Sequence, residues 1–379
     1  MDPSSELRDA SFEPRAVAVL DITALGDLLD VLERDGRTVV APVASGAVVT
    51  TDVVTSLAEV ARGHDEQTPG RYRFTADGDA EVFGPTVPAR GWKRWFHRES
   101  TVLIRGHRDD DGMRIESVDP EPEPLALFGI RACDLAGLAI LDGVLAGGRY
   151  PDGSYATARA DTIVVAAACT SAAATCFCAS TRTGPRPGPG ADVVLTPLGS
   201  DDAGFLAEAL TETGERLLDS VAGRHRATGA TIRAASELVL GAAAAQVRHL
   251  DPDDARRLPD QHPRWDDIAS RCLTCGNCTL VCPTCFCTSV HDSSDLAGTT
   301  FERHREWASC FTLDFSEVHG GQVRSSTAAR YRQWLLHKLV TWHDQFDSSG
   351  CVGCGRCITW CPTGIDLTVE VPMFAEVTP

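Results

Sequence analysis

The sequence predicts an α/β (α+β) N-terminal domain at residues 1–255, followed by a mainly helical, cysteine-rich domain at residues 256–379. Three observations support this division. The chain has 379 residues, which is more than a single compact core usually requires. Eleven of its fifteen cysteines follow residue 271. A polar segment with several prolines, residues 251–263, separates the two parts and is typical of a domain boundary.

The N-terminal domain contains short apolar runs that are separated by turn residues, and such runs predict β-strands. In the clearest unit, a buried strand precedes a helix whose leucines recur at helical spacing from Leu135 to Leu145. Asp134 is placed to cap the start of this helix, and Gly147 and Gly148 end it. The succession of strand, helix and strand predicts an α/β arrangement. The predicted strands are residues 38–43, 71–75, 101–105, 125–130, 162–167 and 192–197.

Two further segments predict helices. Residues 215–250 are rich in alanine, and we expect a break at residues 223–229, where glycine recurs. Residues 330–346 place large side chains on one helical stripe, which favours packing in a core over an electron-relay role for its tryptophans. The members of this stripe are Trp334, Leu335, Lys338, Leu339 and Trp342.

Charge and composition exclude several classes of protein. The formal net charge of −18 does not provide the basic face that nucleic-acid binding needs. The first residues are polar and acidic, unlike a secretory signal, and the longest apolar run, residues 163–169, is too short to span a bilayer. We therefore expect a cytoplasmic protein without a membrane partner. In that reducing compartment, clustered cysteines indicate metal ligands or redox groups rather than disulfides.

The C-terminal domain carries one cysteine pattern twice. Both copies read C-x2-C-x2-C-x3-C-P, the arrangement of bacterial two-cluster [4Fe–4S] ferredoxins. Gly276, Gly353 and Gly355 allow the loop backbone to approach a cluster, and Pro283 and Pro362 fix the turn that follows. The first copy contains Cys272, Cys275, Cys278 and Cys282, and the second contains Cys351, Cys354, Cys357 and Cys361.

The repeated pattern predicts that the two loops exchange their fourth cysteines, because the fourth cysteine of each copy leads away towards the other cluster. The first cluster is expected to be ligated by Cys272, Cys275, Cys278 and Cys361. The second is expected to be ligated by Cys351, Cys354, Cys357 and Cys282. The alternative is a pair of zinc sites. Zinc favours two CxxC pairs separated by a longer gap, so the pattern favours iron–sulfur clusters.

Four cysteines of the N-terminal domain follow two predicted strand ends, where the sites of α/β domains assemble. They are Cys133, Cys169, Cys176 and Cys178. Their convergence predicts a third [4Fe–4S] cluster; the alternatives are a zinc site and buried thiols that only fill space. The remaining three cysteines, Cys285, Cys287 and Cys310, are one short of a set of four, and we expect them to pack beside the two-cluster site.

The segment between the two motifs, residues 287–350, is expected to be helical, as in the α-helical ferredoxin-type two-cluster domains of multisubunit redox enzymes. No dinucleotide fingerprint, P-loop or HExxH motif is present. We therefore expect no flavin or NAD(P) on this chain and no catalytic centre. Basic and aromatic residues at 90–95 form a patch that could bind a partner or a phosphate, but a solvated edge is the favoured interpretation.

Taken together, these motifs make the chain resemble the β subunit of soluble NAD(P)-linked [NiFe]-hydrogenases (sulfhydrogenases) and the related A subunit of anaerobic sulfite reductase. The resemblance runs from about residue 30 to 375 by motif order. It rests on FGIRACDLAGLAILD, the later TCFC, CLTCGNCTLVCPTCFC, WASC, RYRQWLLHK and CVGCGRCITWCPTGID.

The resemblance implies a non-catalytic electron-transfer subunit. Such a subunit carries electrons between a flavin subunit that handles NAD(P)H and a [NiFe]-hydrogenase subunit. In that family the cysteines matching the four of the N-terminal domain recur, which supports a third cluster. The alternatives are the electron-input subunit of a sulfite reductase, and an iron–sulfur sensor or structural module.

Overall fold

The chain is described by a computed structural model that covers residues 13–84, 87–118, 123–199 and 204–376. Its strands are β1 (Ala16–Leu20), β2 (Thr38–Ser45), β3 (Val48–Val53), β4 (Gly63–Thr68), β5 (Arg71–Ala76), β6 (Ser100–Asp109), β7 (Gly112–Ser117), β8 (Leu125–Arg131), β9 (Ile163–Ala167), β10 (Val193–Pro197), β11 (Phe205–Ala209), β12 (His225–Arg226), β13 (Thr288–Ser294), β14 (Thr300–Trp307), β15 (Glu317–Val318) and β16 (Gly321–Gln322).

The helices are α1 (Ile22–Arg34), α2 (Ala132–Leu141), α3 (Gly153–Ala160), α4 (Glu212–Ser220), α5 (Gly229–Ala244), α6 (Pro252–Arg256), α7 (Arg264–Arg271), α8 (Asn277–Leu280), α9 (Thr327–Leu336), α10 (Trp342–Phe346), α11 (Arg356–Thr359), α12 (Leu367–Glu370) and α13 (Met373–Glu376). Wider π-helical turns extend α2 over Asp142–Ala146 and join α9 to α10 over His337–Thr341.

The N-terminal half is built on a mixed eight-stranded sheet in the order β12-β1-β11-β10-β9-β8-β2-β3. Strands β2, β8, β9 and β10 are parallel to their neighbours in that run, and the outer pairs are antiparallel. Every residue of β8, β9, β10 and β11 is buried, because apolar clusters pack on both faces of the sheet. Double-sided burial explains why these strands are continuous apolar runs in the sequence.

The predicted elements of this half are present. Each of the six strands predicted from the sequence forms, and the α/β character of the N-terminal region is confirmed. The predicted helical stretch at 215–250 is divided into α4 and α5, with the break where the glycines suggested it. One local prediction is wrong: Arg131, not Asp134, is the N-cap of α2. Strand β8 passes directly into the helix, so Asp134 already lies within the first turn, where its side chain is buried.

The segment between the two cysteine motifs differs from the helical prediction. It begins with a β-hairpin, β13 and β14, and only its last part is helical. The hairpin pairs through β14 with β6, giving a second sheet in the order β13-β14-β6-β7. The prediction failed because β13 is largely exposed and polar, and β14 is only partly buried and rich in charged residues, so both lack the apolar alternation of a half-buried strand. This sheet takes two strands from each side of residue 255, and the boundary at 255/256 stays a prediction.

The helix predicted at residues 330–346 is present as α9, a π-helical turn and α10. All five residues of its predicted stripe are buried, including Lys338, which is 6% exposed. Trp334, Leu335 and Leu339 of the stripe pack into a core that they share with α7 and with the segment that follows the second cysteine motif. In the described part of the chain, no helix has the length and apolar character needed to cross a membrane.

Candidate metal centres

The first cysteine motif begins in a tight loop after α7, and its third cysteine, Cys278, lies in α8. The amide of Cys272 donates to the carbonyl of Ile268 over 3.1 Å, so the end of α7 fixes where the loop begins. Thr274 (φ 52°) and Gly276 (φ 77°) then adopt left-handed backbone and turn the chain sharply. The bend and the first turn of α8 therefore keep the three closely spaced cysteines of the motif within one short stretch of chain.

The second motif forms a similar loop, which is pressed against the N-terminal half. Gly353 (φ 60°) and Gly355 (φ 75°) have left-handed backbone. A Cβ atom on Gly353 would lie 2.6 Å from the Cα of Cys178, and one on Gly355 would lie 2.3 Å from the carbonyl oxygen of Thr175. The amide of Phe177 donates to the carbonyl of Gly353 over 2.8 Å. Glycine is thus required at both positions because the loop backbone touches the backbone of residues 175–178. This requirement is separate from any need for the loop backbone to approach a cluster.

The fold brings the fourth cysteine of each motif to the other motif. One cavity is lined by Cys272, Cys275, Cys278 and Cys361. A second cavity is lined by Cys282, Cys351, Cys354 and Cys357. These are the two sets that the exchanged-ligand hypothesis groups together. Cys357 and Trp334 border both cavities, so the two candidate centres are neighbours.

The donor chemistry of both cavities suits iron–sulfur clusters. All eight grouped cysteines are free thiols, the ligand type that holds [4Fe–4S] clusters. In the described ranges, no three His, Cys, Asp or Glu side chains converge closely enough to hold a single metal ion.

Burial controls the protonation of most of these thiols. Burial raises the pKa of Cys278 and Cys357 well above the usual value, and raises that of Cys351 to about 12. Such thiols keep their protons at neutral pH until a metal displaces them. Cys282 differs: the hydrogen bond from the Cys285 thiol, and then the charge of Lys338, lower its pKa well below the usual value.

Lys338 reaches the second cavity from the π-helical turn after α9. Its Nζ donates to the Sγ of Cys282 over 3.3 Å, to the hydroxyl of Thr284 over 2.8 Å and to the carbonyl of Gly350 over 3.0 Å. The Thr284 hydroxyl lies 3.2 Å from the same sulfur. The fourth cysteine is therefore held by side chains from two separate segments.

The four N-terminal cysteines lie at the edge of the large sheet that faces the second motif. Cys133 is in the first turn of α2, directly after β8, and Cys169 follows β9, as expected for neighbouring strand ends. Cys133 and Cys178 share a buried apolar cluster with Cys354 of the second motif. The Sγ of Cys176 lies 3.9 Å from the carbonyl oxygen of Cys354. The fold thus places this group directly beside the second candidate centre.

A buried ion pair fixes the second motif to α2. The Nη2 of Arg356 donates to the Oδ2 of Asp134 over 2.7 Å, and both side chains are 1% exposed. The Nε of Arg356 also donates to the carbonyl of Pro88 over 2.9 Å. Asp134, which the sequence suggested as a helix cap, is therefore the counter-charge of Arg356.

The three remaining cysteines lie near both motifs: Cys285 follows Cys282 by three residues, and Cys310 packs against the same apolar core as Cys272 and Cys278. The neighbouring Cys285 thiol lowers the pKa of Cys282, and the neighbouring Cys310 thiol lowers the pKa of Cys287 to about 7. All three pack beside the two-cluster site, where we expected them. The carbonyl of Cys285 accepts a 2.8 Å hydrogen bond from Lys93, an ammonium that also lies 3.9 Å from the centre of the Trp307 ring.

The patch at residues 90–95 is only partly a solvated edge. Arg90 is exposed and pairs with Glu99 over 3.0 Å, as that interpretation expects. Lys93 and Trp92 contradict it, because their side chains are buried at 6% and 1% exposure. Lys93 packs against Trp307, which lies some two hundred residues later in the sequence. The pattern of residues 90–95 alone therefore could not reveal this contact.

Sequence reasoning missed the contacts that Lys338 and Arg356 make beside the second cavity. One signal was available for Lys338, since a lysine on an otherwise apolar buried stripe needs a partner. Arg356 lies between Cys354 and Cys357, at a position where the motif accepts any residue. The motif therefore gave no reason to single it out.

Comparison with known proteins first defines the class. Residues 271–365 match the 4Fe-4S dicluster domain family, which spans both cysteine motifs. The chain is therefore an iron–sulfur protein of the electron-transfer type. Sulfhydrogenase 2 subunit beta of Pyrococcus furiosus is 30% identical over 285 residues, which cover 72% of this chain and 79% of that protein. The chain belongs to the family of sulfhydrogenase β subunits. No solved structure matches it.

Proposed function

We propose that the chain carries two [4Fe–4S] clusters whose loops exchange their fourth ligands. The observation that carries this proposal is the grouping of Cys361 with the first motif and of Cys282 with the second. The matched dicluster family supports the type of cluster. When bound, the clusters supply one-electron redox chemistry. The residues of the chain ligate them, exclude water and set their electrostatic environment.

The role that fits these centres is electron relay within a multisubunit cytoplasmic oxidoreductase. The partners proposed are a flavin subunit that binds NAD(P)H and a [NiFe]-hydrogenase subunit, in keeping with the name of the relative, a sulfhydrogenase subunit. This chain itself would hold neither flavin nor NAD(P) and would perform no catalysis.

A third [4Fe–4S] cluster at Cys133, Cys169, Cys176 and Cys178 extends the proposal. Support comes from the contact of this group with Cys354, because electrons pass efficiently only between neighbouring centres. Gln246 donates to the Sγ of Cys178 over 3.1 Å, a hydrogen bond of the kind that orients a ligand. A zinc ion is the alternative occupant.

Metal analysis of the complex purified anaerobically from native cells tests both parts. Two clusters require roughly eight irons and eight sulfides per chain, and three clusters require roughly twelve. Zinc in place of iron contradicts the cluster proposal. Co-purifying subunits distinguish a hydrogenase from a sulfite reductase, and rapid reduction of the clusters by a flavin subunit excludes a sensor or a structural module.

A further inference from the structure

Lys338 is a buried cation in a place that offers it no carboxylate. It is 6% exposed, and in the described parts of the chain no Asp or Glu oxygen lies within ion-pair distance of its Nζ. Its partners are a sulfur, a hydroxyl and a carbonyl. A buried charge without a counter-charge is strongly unfavourable. The negative charge that offsets it must come from the thiolate side of the site.

The two cysteine motifs have the same residues directly after the fourth cysteine, so Lys338 is a difference between two otherwise similar sites. Each fourth cysteine is followed by proline and threonine, and each threonine hydroxyl lies near its sulfur, at 3.2 Å for Thr284 and 3.4 Å for Thr363. The sulfur of Cys361 also accepts from the amide of Ile365 over 3.4 Å. Among the hydrogen bonds of the described residues, no ammonium or guanidinium donates to Cys361 or Thr363. Within the described ranges, the second centre therefore has a cation bonded to its exchanged ligand and the first has none.

We propose that Lys338 raises the reduction potential of the second cluster relative to the first, as a positioning residue that acts through Cys282. This inference rests on the proposed function, since it requires clusters at both centres. On reduction, a cluster gains one electron and one negative charge. A fixed positive charge and an N–H···S hydrogen bond stabilise that added charge, so both raise the potential. The lysine makes two otherwise similar centres unequal, and the electron rests preferentially on the second.

The test compares the midpoint potentials of the purified complex with those of three variants. Lys338→Met removes the charge and the hydrogen bond, and Lys338→Gln removes the charge while keeping a polar group. Arg332→Gln is the matched control, because Arg332 lies on the same helix but donates to the carbonyl of Asp260, over 2.9 Å. The readout is a potentiometric titration followed by electron paramagnetic resonance. Iron and sulfide are measured in every sample.

We expect the midpoint of one cluster to become more negative in both Lys338 variants, the other to stay unchanged, and neither to move in the control. The spectrum that shifts should be the one that the variant Cys282→Ser alters. Unchanged midpoints, or an equal shift of both, in variants with full iron content overturn the role of Lys338. Absence of clusters in the unmodified chain instead overturns the proposed function. If the second cluster does not assemble in Lys338→Met, the midpoint potentials of Lys338→Gln decide the test.

Discussion

At the scale of single residues, Arg356 joins the second cysteine motif to α2. Its guanidinium is buried against Asp134, and burial works against its charge while Asp134 and then Cys354 raise its pKa. In a buried ion pair, each charge offsets the other. Removing one member leaves the other charge buried without a counter-charge, which lowers the stability of the fold.

Asp134→Asn should therefore destabilise the chain by about 3–5 kcal/mol, since the guanidinium of Arg356 loses its counter-charge in a buried site. Chemical denaturation under anaerobic conditions measures the loss. Asp292→Asn is the control: Asp292 pairs with Arg303 over 2.7 Å, but both side chains are exposed, so we expect no measurable change. Equal stability of the Asp134 and Asp292 variants contradicts the role assigned to Arg356.

The protonation of the buried thiols predicts how cluster assembly depends on pH. Burial raises the pKa of Cys278, Cys351 and Cys357, so these thiols are protonated at neutral pH and must lose protons to bind iron. Assembly into the iron-free chain should accelerate as the pH rises from about 7 to 9. The growth of the iron–thiolate absorbance after addition of iron and sulfide measures the rate. A rate that is constant or falls over this range is the opposing result.

At the scale of elements, the segment at residues 175–178 is the surface on which the second motif rests. Its backbone touches Gly353 and Gly355 so closely that neither position has room for a Cβ atom. The sequence showed both glycines and the TCFC segment, but their contact joins positions about 180 residues apart, which no local pattern encodes.

Gly353→Ala should prevent assembly of the second cluster and leave the first intact. The new methyl group meets the backbone of Cys178, and alanine is strained at a φ of 60°. Iron content should fall by roughly four per chain. Gly188→Ala, at a position with open space around it, should leave the iron content unchanged. Full iron content in Gly353→Ala shows that the loop tolerates displacement from residues 175–178.

The elements also show where prediction from sequence succeeds. Strands buried on both faces, such as β8 and β9, are continuous apolar runs and were found within a residue or two of their ends. The hairpin of β13 and β14 was missed because its stability comes from pairing with β6, whose residues lie about 200 positions earlier. The ring of Phe301 covers Gly106 in that pairing, a contact that only the folded chain reveals.

At the scale of the whole molecule, the candidate centres form a connected series. The N-terminal thiols adjoin the second cavity through Cys354, and the second adjoins the first through Cys357 and Trp334. The cysteine spacing alone predicts the two C-terminal ligand sets, and the members of each set line one cavity, but ligation itself stays a prediction. The spacing did not predict their order relative to the N-terminal group, because that order depends on the docking of one half of the chain on the other.

The central claim is that the two motifs exchange their fourth ligands, and paired serine variants test it most directly. Electron paramagnetic resonance of the reduced protein distinguishes the two clusters. Cys282→Ser should disturb the same cluster as Cys351→Ser, and Cys361→Ser should disturb the same cluster as Cys272→Ser, since each pair shares one cavity. The contrary result is that Cys282→Ser pairs with Cys272→Ser and Cys361→Ser with Cys351→Ser. Each motif would then hold its own cluster, and no exchange of ligands would take place.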